Sequence, residues 1–205
     1  MRHDLSPEKL LAGYAVGIFP MADDLGRVHW LAPDPRAVIE LDAFRVSRSL
    51  RAVVRREVFD VTFNRAFDEV MACCADRPEG TWISEDIKRA YRALHRLGFA
   101  HSVEAWGDGA LAGGLYGVTL GGVFFGESMF HRVTDASKVA LVRLVERLRE
   151  RRFVLLDVQF MTEHLRGFGA VEMPRVTYER RLRQATRLSR TFADAPPGPI
   201  EAIDA

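Results

Sequence analysis

The spacing of apolar positions changes period several times along the chain, and each change predicts an element. Leu10, Leu11, Tyr14 and Val16 recur at helical spacing behind Ser6-Pro7-Glu8, a hydroxyl N-cap with proline in the first turn, and Gly17 closes the run. From Phe19 to Pro35 the pattern dissolves: Pro20, Pro33 and Pro35 interrupt it, and Trp30 predicts an irregular segment packed over something larger. Val38-Ile39-Glu40 predicts a strand. Asp60 to Phe63 predicts another, followed by a helix capped by Asn64 with Phe67, Val70, Met71 and Cys74 on its inner face. A second helix starts at Ser84, where Glu85 and Asp86 suit the positive end of its dipole. Ile87, Tyr91, Leu94 and Leu97 form its stripe, and Gly98 stops it.

Strand-period segments come next: His101 to Trp106, Ala110 to Val118 and Val123 to Ser128. They are separated by Gly107-Asp108-Gly109 and Gly121-Gly122, tight-turn signals that predict an antiparallel meander. A helix capped near Thr134 or Asp135 carries Val139, Leu141, Leu144, Val145 and Leu148. The continuous apolar run Phe153 to Leu156 then reads as a buried strand, and a last short helix follows near Thr162. The order βααβββαβα predicts an α+β fold of mixed layers and resembles the acetyltransferase fold. A small N-terminal domain over residues 1–36 is expected before a catalytic domain over 37–192. Residues 193–205, rich in Ala, Pro, Gly and Asp, offer too little apolar surface to offset their ordering entropy and are expected to form a disordered tail.

Composition fits a soluble globular protein: 205 residues, 48% hydrophobic and 28% charged. A formal net charge of +1 makes any nucleic-acid partner a matter of local clustering. Arg45, Arg48, Arg51, Arg55 and Arg56 form such a cluster. If Ser47 opens a helix, Arg48, Arg51 and Arg55 share one face, which can follow a phosphate backbone or simply be solvated. The later group Arg175, Arg180, Arg181, Arg183, Arg187 and Arg190 reads as ordinary surface. No apolar stretch approaches the roughly 20 residues of a membrane helix, and Met1-Arg2-His3-Asp4 lacks a signal-peptide core, so a cytoplasmic protein without a membrane partner is expected. Cys73 and Cys74 read as core residues, and the six scattered histidines support no metal site.

Three features could carry chemistry. Asp157 and Gln159 lie two apart at the end of the Phe153 to Leu156 strand, so strand geometry sends both side chains to one face. They could polarise an amine, or be a polar pair satisfied within the fold. Glu127 follows the apolar run Val123-Phe124-Phe125 and would suit a cationic substrate group, or an edge-strand ion pair. Trp82 precedes a helix N-cap, where its ring could stack on a nucleobase or belong to the core; Trp106, beside a turn, looks structural. The turn His131 to Ser137 has no glycine, so it makes no provision for close approach of a coenzyme A pyrophosphate.

Taken together the motifs resemble the bacterial leucyl/phenylalanyl-tRNA protein transferase family. They are Gly17-Ile18-Phe19-Pro20, Trp30 with Pro33-Asp34-Pro35-Arg36-Ala37, Ser47-Arg48-Ser49, Glu79-Gly80-Thr81-Trp82-Ile83, His101-Ser102-Val103-Glu104, Gly113-Gly114-Leu115-Tyr116-Gly117, Phe125 to Phe130, Ala136-Ser137-Lys138 and Asp157-Val158-Gln159. The resemblance implies transfer of Leu or Phe, and less readily Met, from aminoacyl-tRNA to the α-amine of proteins beginning with Arg or Lys. Such a reaction creates an N-degron for proteolysis and needs no metal or other cofactor. It further implies Asp157 and Gln159 at the attacking amine, Glu127 on the acceptor peptide, Trp82 on the terminal adenosine, and Leu115, Phe124 and Leu156 around the transferred side chain. Arg48, Arg51, Arg55 and Arg56 would meet the tRNA. Met21 stands where many members carry an aromatic residue, and the N-terminal domain is expected to be a shortened one. A monomer is the working expectation for the assembly. Two other readings remain: a coenzyme A-dependent N-acetyltransferase, which the glycine-free turn disfavours, and a non-catalytic tRNA- or peptide-binding module.

Overall fold

The computed structural model describes residues 5–194. Helix α1 (Pro7–Ala15) starts where expected, with the Ser6 hydroxyl accepting from the Lys9 amide. The next segment is more regular than its prolines suggest: β1 (Phe19–Ala22) and β2 (Val28–Leu31) pair as an antiparallel hairpin. Pro20 is tolerated because the hairpin has only two strands, so each strand keeps an unpaired edge. Trp30 packs its ring against α1 at Gly13, where any Cβ would collide with it.

The remaining strands form one sheet. They are β3 (Arg36–Ile39), β4 (Asp60–Phe63), β5 (Ala100–Gly107), β6 (Ala110–Leu120), β7 (Val123–His131), β8 (Leu155–Gln159) and β9 (Val171–Met173), in the spatial order β4-β5-β6-β7-β8-β3-β9. Every neighbouring pair is antiparallel except β7 and β8, whose parallel pairing requires the long crossover helix α5 (Ala136–Glu150). The meander, the crossover helix and the parallel return strand follow the expected mixed-layer, acetyltransferase-like order.

Both faces of this sheet are buried, which explains why its central strands read as continuous apolar runs. Tyr116, Phe125 and Leu155 face one side, where they meet Tyr14 of α1, Met71 of α3 (Phe67–Ala75) and Tyr91 of α4 (Glu85–Arg96). Leu115, Phe124 and Leu156 face the other, against Leu141, Leu144 and Leu148 of α5 and Leu50 of α2 (Arg48–Arg55). Gly113 allows the first turn of α5 to lie directly on the sheet, since a Cβ there would stand 2.7 Å from the Ala136 Cβ and 2.9 Å from the Ser137 amide.

Several expectations are corrected. Asn64 does not cap α3. It sits at φ 60° and its side chain accepts from the Ser102 amide, while Ala66 precedes the helix and donates its amide to the Glu104 carboxylate. The expected Phe153 strand begins two residues later, and Phe153 is buried just before it. After the short helix α6 (Glu163–Gly167), which starts at Thr162 as expected, the arginine-rich segment following Pro174 is a helix, α7 (Arg175–Ala185), that buries Tyr178 and Leu182. Arg181 there pairs with Glu40 and is not free surface. Cys74 is buried but Cys73 only partly so. Of the expected tail, Asp194 is tied to Arg147 and Arg151, and residues 195–205 lie outside the described residues. Among the described residues no helix is long and apolar enough to cross a membrane.

Candidate active site

The site is made by two strands that part. The parallel register of β7 and β8 runs through Val123↔Leu155, Phe124↔Leu156 and Phe125↔Asp157, and then ends. At that level both strands bulge. On β7, Gly126 faces Gly117 and Ser128 faces Tyr116, so Glu127 is the extra residue; on β8, Asp157 faces Val38 and Gln159 faces Ala37, so Val158 is extra. A bulge bends its strand and re-aims the side chains around it. Gly117 makes room for the first bulge, because a Cβ there would strike the Phe125 carbonyl and the Phe124 ring.

A cavity of about 690 Å³ opens where the two strands diverge. Its apolar wall is built from Leu115, Met129, Leu141, Leu144, Leu156 and Val158, and Trp82 and Met21 both border it. The wall therefore draws on the meander, the crossover helix and the return strand at once. Glu127, Gln159 and Ser128 bring polar groups to one part of the lining and Thr134, Asp135, Ser137 and Thr162 to another, while Arg77 and Lys138 supply cationic groups and His131 and His164 line it as well. Lys138 is itself paired with Asp135, 2.8 Å away, at the start of α5. A carboxylate at that helix start suits a coenzyme A pyrophosphate poorly, as does the absence of glycine from the turn. Among the described residues no group of three His, Cys, Asp or Glu side chains is placed to hold a metal ion.

Behind this lining lies a fully buried ion pair. Asp157 Oδ1 accepts from Arg36 Nε (2.9 Å) and the Gln159 amide (2.9 Å), while Oδ2 accepts from an Arg36 terminal nitrogen (2.7 Å) and the Tyr178 hydroxyl. Four donors occupy the four lone-pair directions of one carboxylate. The Arg36 guanidinium lies between the rings of Phe19 and Tyr178, 4.7 and 4.8 Å from their centroids, and also donates to the Gly17 carbonyl. Burial, and then the charge of Asp157, push the Tyr178 hydroxyl far up, so it remains a donor.

Glu127 is different. Its Oε1 accepts from the Tyr14 hydroxyl (2.7 Å) and Gln159 Nε2 (3.0 Å), its Oε2 accepts from the Tyr91 hydroxyl (3.0 Å), and the two tyrosine hydroxyls contact each other. Burial pushes the Glu127 carboxyl up to about 7, against the opposing pull of the two tyrosine hydrogen bonds. Burial and the Glu127 charge in turn hold Tyr14 and Tyr91 well above the usual phenol range.

This geometry meets close sequence relatives. The model of the leucyl/phenylalanyl-tRNA protein transferase family matches residues 38–183, and that of its N-terminal domain matches residues 3–34. The chain belongs to the leucyl/phenylalanyl-tRNA protein transferase family. A protein of that name from Rubrobacter xylanophilus is 60% identical over 190 residues, 92% of this chain and 99% of that protein. Another from Gloeobacter violaceus is 56% identical over 189 residues, again 92% of this chain and 97% of the relative. Among solved structures, L-PGS from Bacillus licheniformis overlaps 64% of this chain and 49% of its own, with 14% identity and a TM-score of 0.45, a likeness too slight to bear on function. Membership makes the protein an aminoacyltransferase.

The expected site residues of this transferase fall into three groups. Glu127, Gln159, Trp82, Leu115 and Leu156 border the cavity. Asp157 and Phe124 do not: both have 0% exposure. Phe124 lies one register pair short of the parting point, its ring turned over Gly117 and against Phe192. The bulge at Val158 breaks the simple two-residue alternation, so Asp157 bonds the Gln159 backbone while Gln159 alone reaches the cavity. Arg48, Arg51 and Arg55 on α2, capped by Ser47 as expected, and Arg56 just after it are exposed and lie outside the cavity lining. Arg36, Tyr14, Tyr91 and Tyr178 were not anticipated. Their signal was present in Tyr14 and Tyr91, tyrosines on the apolar stripes of two helices whose hydroxyls would need buried partners.

Proposed function

We propose that this transferase moves Leu or Phe, and less readily Met, from aminoacyl-tRNA to the α-amine of proteins that begin with Arg or Lys, marking them for proteolysis in the cytoplasm. The observation that carries the reading is an apolar cavity with a partly buried carboxylate, Glu127, and an amide, Gln159, at its polar side. Leu115, Leu141, Leu144 and Leu156 give an apolar wall suited to a linear or aromatic side chain, whereas a branch at Cβ is stiffer and fits less readily. Glu127 suits a cationic acceptor. Trp82 stacks on the terminal adenosine, with Met21 beside it in place of a second ring, and the α2 arginines follow the tRNA backbone.

An aminoacyl ester is already activated, and an α-amine with a pKa of about 7.7 to 8.0 is partly neutral at physiological pH. Holding the two in attack geometry then supplies most of the acceleration, without a covalent intermediate on the protein. In this reading Arg36 and Asp157 act as positioning residues. They fix the backbone of Gln159, and Gln159 orients the reacting groups. The test is direct: purified protein, phenylalanyl-tRNA and a peptide starting with Arg should yield a peptide heavier by one phenylalanyl residue. An unchanged peptide mass beside a working control would refute the reading.

A further inference from the structure

The transfer reaction must remove a proton from the attacking amine, and the two carboxylates where β7 and β8 part are not equally able to take it. A general base has to reach the proton it accepts and have a lone pair to receive it. Asp157 meets neither condition: it is fully buried outside the cavity lining, and Arg36, Gln159 and Tyr178 fill its four acceptor directions. Glu127 borders the cavity, and three donors leave one acceptor direction open on Oε2.

The Tyr14 hydroxyl, the Tyr91 hydroxyl and the Glu127 carboxyl form a closed ring of three oxygen contacts. Two phenols bring two protons. With Glu127 ionised, one contact lacks a proton; with a third proton on Oε2, the carboxyl donates to Tyr91, Tyr91 to Tyr14, and Tyr14 back to Oε1. Gln159 still donates to Oε1 in that arrangement. With both phenols donating to Glu127 the Tyr14–Tyr91 contact is the one left without a proton, and a proton taken up by Glu127 completes the ring.

We propose that Glu127 is the proton acceptor of the transfer reaction, with Tyr14 and Tyr91 as the hydroxyl ring that stabilises the proton it takes. This rests on the aminoacyl transfer proposed above and assigns the proton step within it. The neutral amine nitrogen attacks the ester carbonyl carbon, a C–N bond forms, and the bond from that carbon to the ribose oxygen breaks. One proton leaves the nitrogen for Glu127 and passes from Glu127 to the departing ribose oxygen, so the carboxylate is regenerated and nothing is oxidised or reduced. The groups that face Glu127 from the surrounding elements are Tyr14 on α1, Arg36 on β3, Tyr91 on α4, Tyr116 on β6 and Asp157 on β8. Its carboxyl, held near 7 mainly by burial, is matched to an amine that titrates about one unit higher.

The test is single-turnover transfer from phenylalanyl-tRNA to an Arg-peptide, followed against pH at saturating peptide. Wild type should show a limb near pH 7 that stays in place when a peptide with a less basic α-amine is substituted, while the amine limb moves. Glu127→Gln should lower the saturated rate by about 100-fold or more and abolish the limb near 7, with peptide KM changed far less. Glu127→Asp should recover part of the rate and keep the limb, and Tyr91→Phe, which opens the ring, should shift it. If Glu127→Gln keeps the wild-type rate at saturation and only KM rises, Glu127 merely grips the acceptor and the proposal is overturned. It is equally overturned if Asp157→Asn, and not Glu127→Gln, removes the limb. Complete absence of transfer by the wild type refutes the proposed function instead, so the two failures are distinct.

Discussion

Glu127 and Asp157 stand where the parallel pairing of β7 and β8 ends and face the same side of the sheet, yet their surroundings are opposite. Asp157 is enclosed, charge-paired with Arg36 and saturated by donors. Glu127 borders a cavity and accepts from two tyrosine hydroxyls and an amide. The difference comes from which residue each bulge displaces: the extra residue on β7 is Glu127 itself, whereas on β8 it is Val158, one step beyond Asp157. Residue type alone does not decide which carboxylate can do proton chemistry. Access and unfilled lone pairs do.

The contrast can be broken most forcefully at the ion pair. Asp157→Ala leaves Arg36 buried without a partner and should cost about 3 to 5 kcal/mol in chemical denaturation, with transfer lost. Arg36→Met combined with Asp157→Leu should recover much of that stability and none of the activity. If the double variant transfers normally, the pair does not position the site.

Next in size is selectivity. Leu141→Phe fills part of the cavity and should lower transfer of Phe relative to Leu by about 10-fold or more, read as a ratio of kcat/KM for the two charged tRNAs. An unchanged ratio would move the side-chain pocket elsewhere.

The pH dependence of stability gives a smaller effect of defined sign. Glu127 titrates at about 7 in the folded protein against an ordinary 4.5, so its contribution is complete below 4.5 and is lost as pH rises through 7. Thermal midpoints should therefore show wild type falling behind Glu127→Gln as pH rises through that window. His101 has the opposite sign: burial, then the neighbouring His95, hold it down at about 3 from 6.5, so its contribution is complete above 6.5 and fades as pH falls through 3. Comparing wild type with Glu127→Gln cancels the His101 effect. The smallest change is expected on α2, where Arg48→Ala or Arg51→Ala should each weaken tRNA binding modestly and reduce the salt slope by about one.

Much of the scaffold was legible because its signals are local. Caps at Ser6, Ser47 and Ser84, the 3.6-residue stripes of α4 and α5, and the glycine turns between β5, β6 and β7 all lie within a few residues of what they specify. The cavity-bordering positions Leu115, Trp82 and Leu156 could be matched through motifs. Helix α7 was not legible, since its sequence is mostly arginine and polar residues and only Tyr178, Leu182 and Ala185 are buried. The β1–β2 hairpin was concealed by prolines that a two-stranded ribbon tolerates.

The amino-acid order by itself determined where most helices and strands lie, which faces are apolar, and that acids and an amide belong to two strands; β7 runs on past Glu127 to His131. Only the tertiary structure decided which acid faces the cavity. A bulge is a mismatch in count between two paired strands and is written in neither alone. The partners that saturate Asp157 come from residues 121 and 21 positions away, and those of Glu127 from 113 and 36. A buried carboxylate takes its chemistry from the donors packed around it, and those donors meet only once the sheet and its helices have closed.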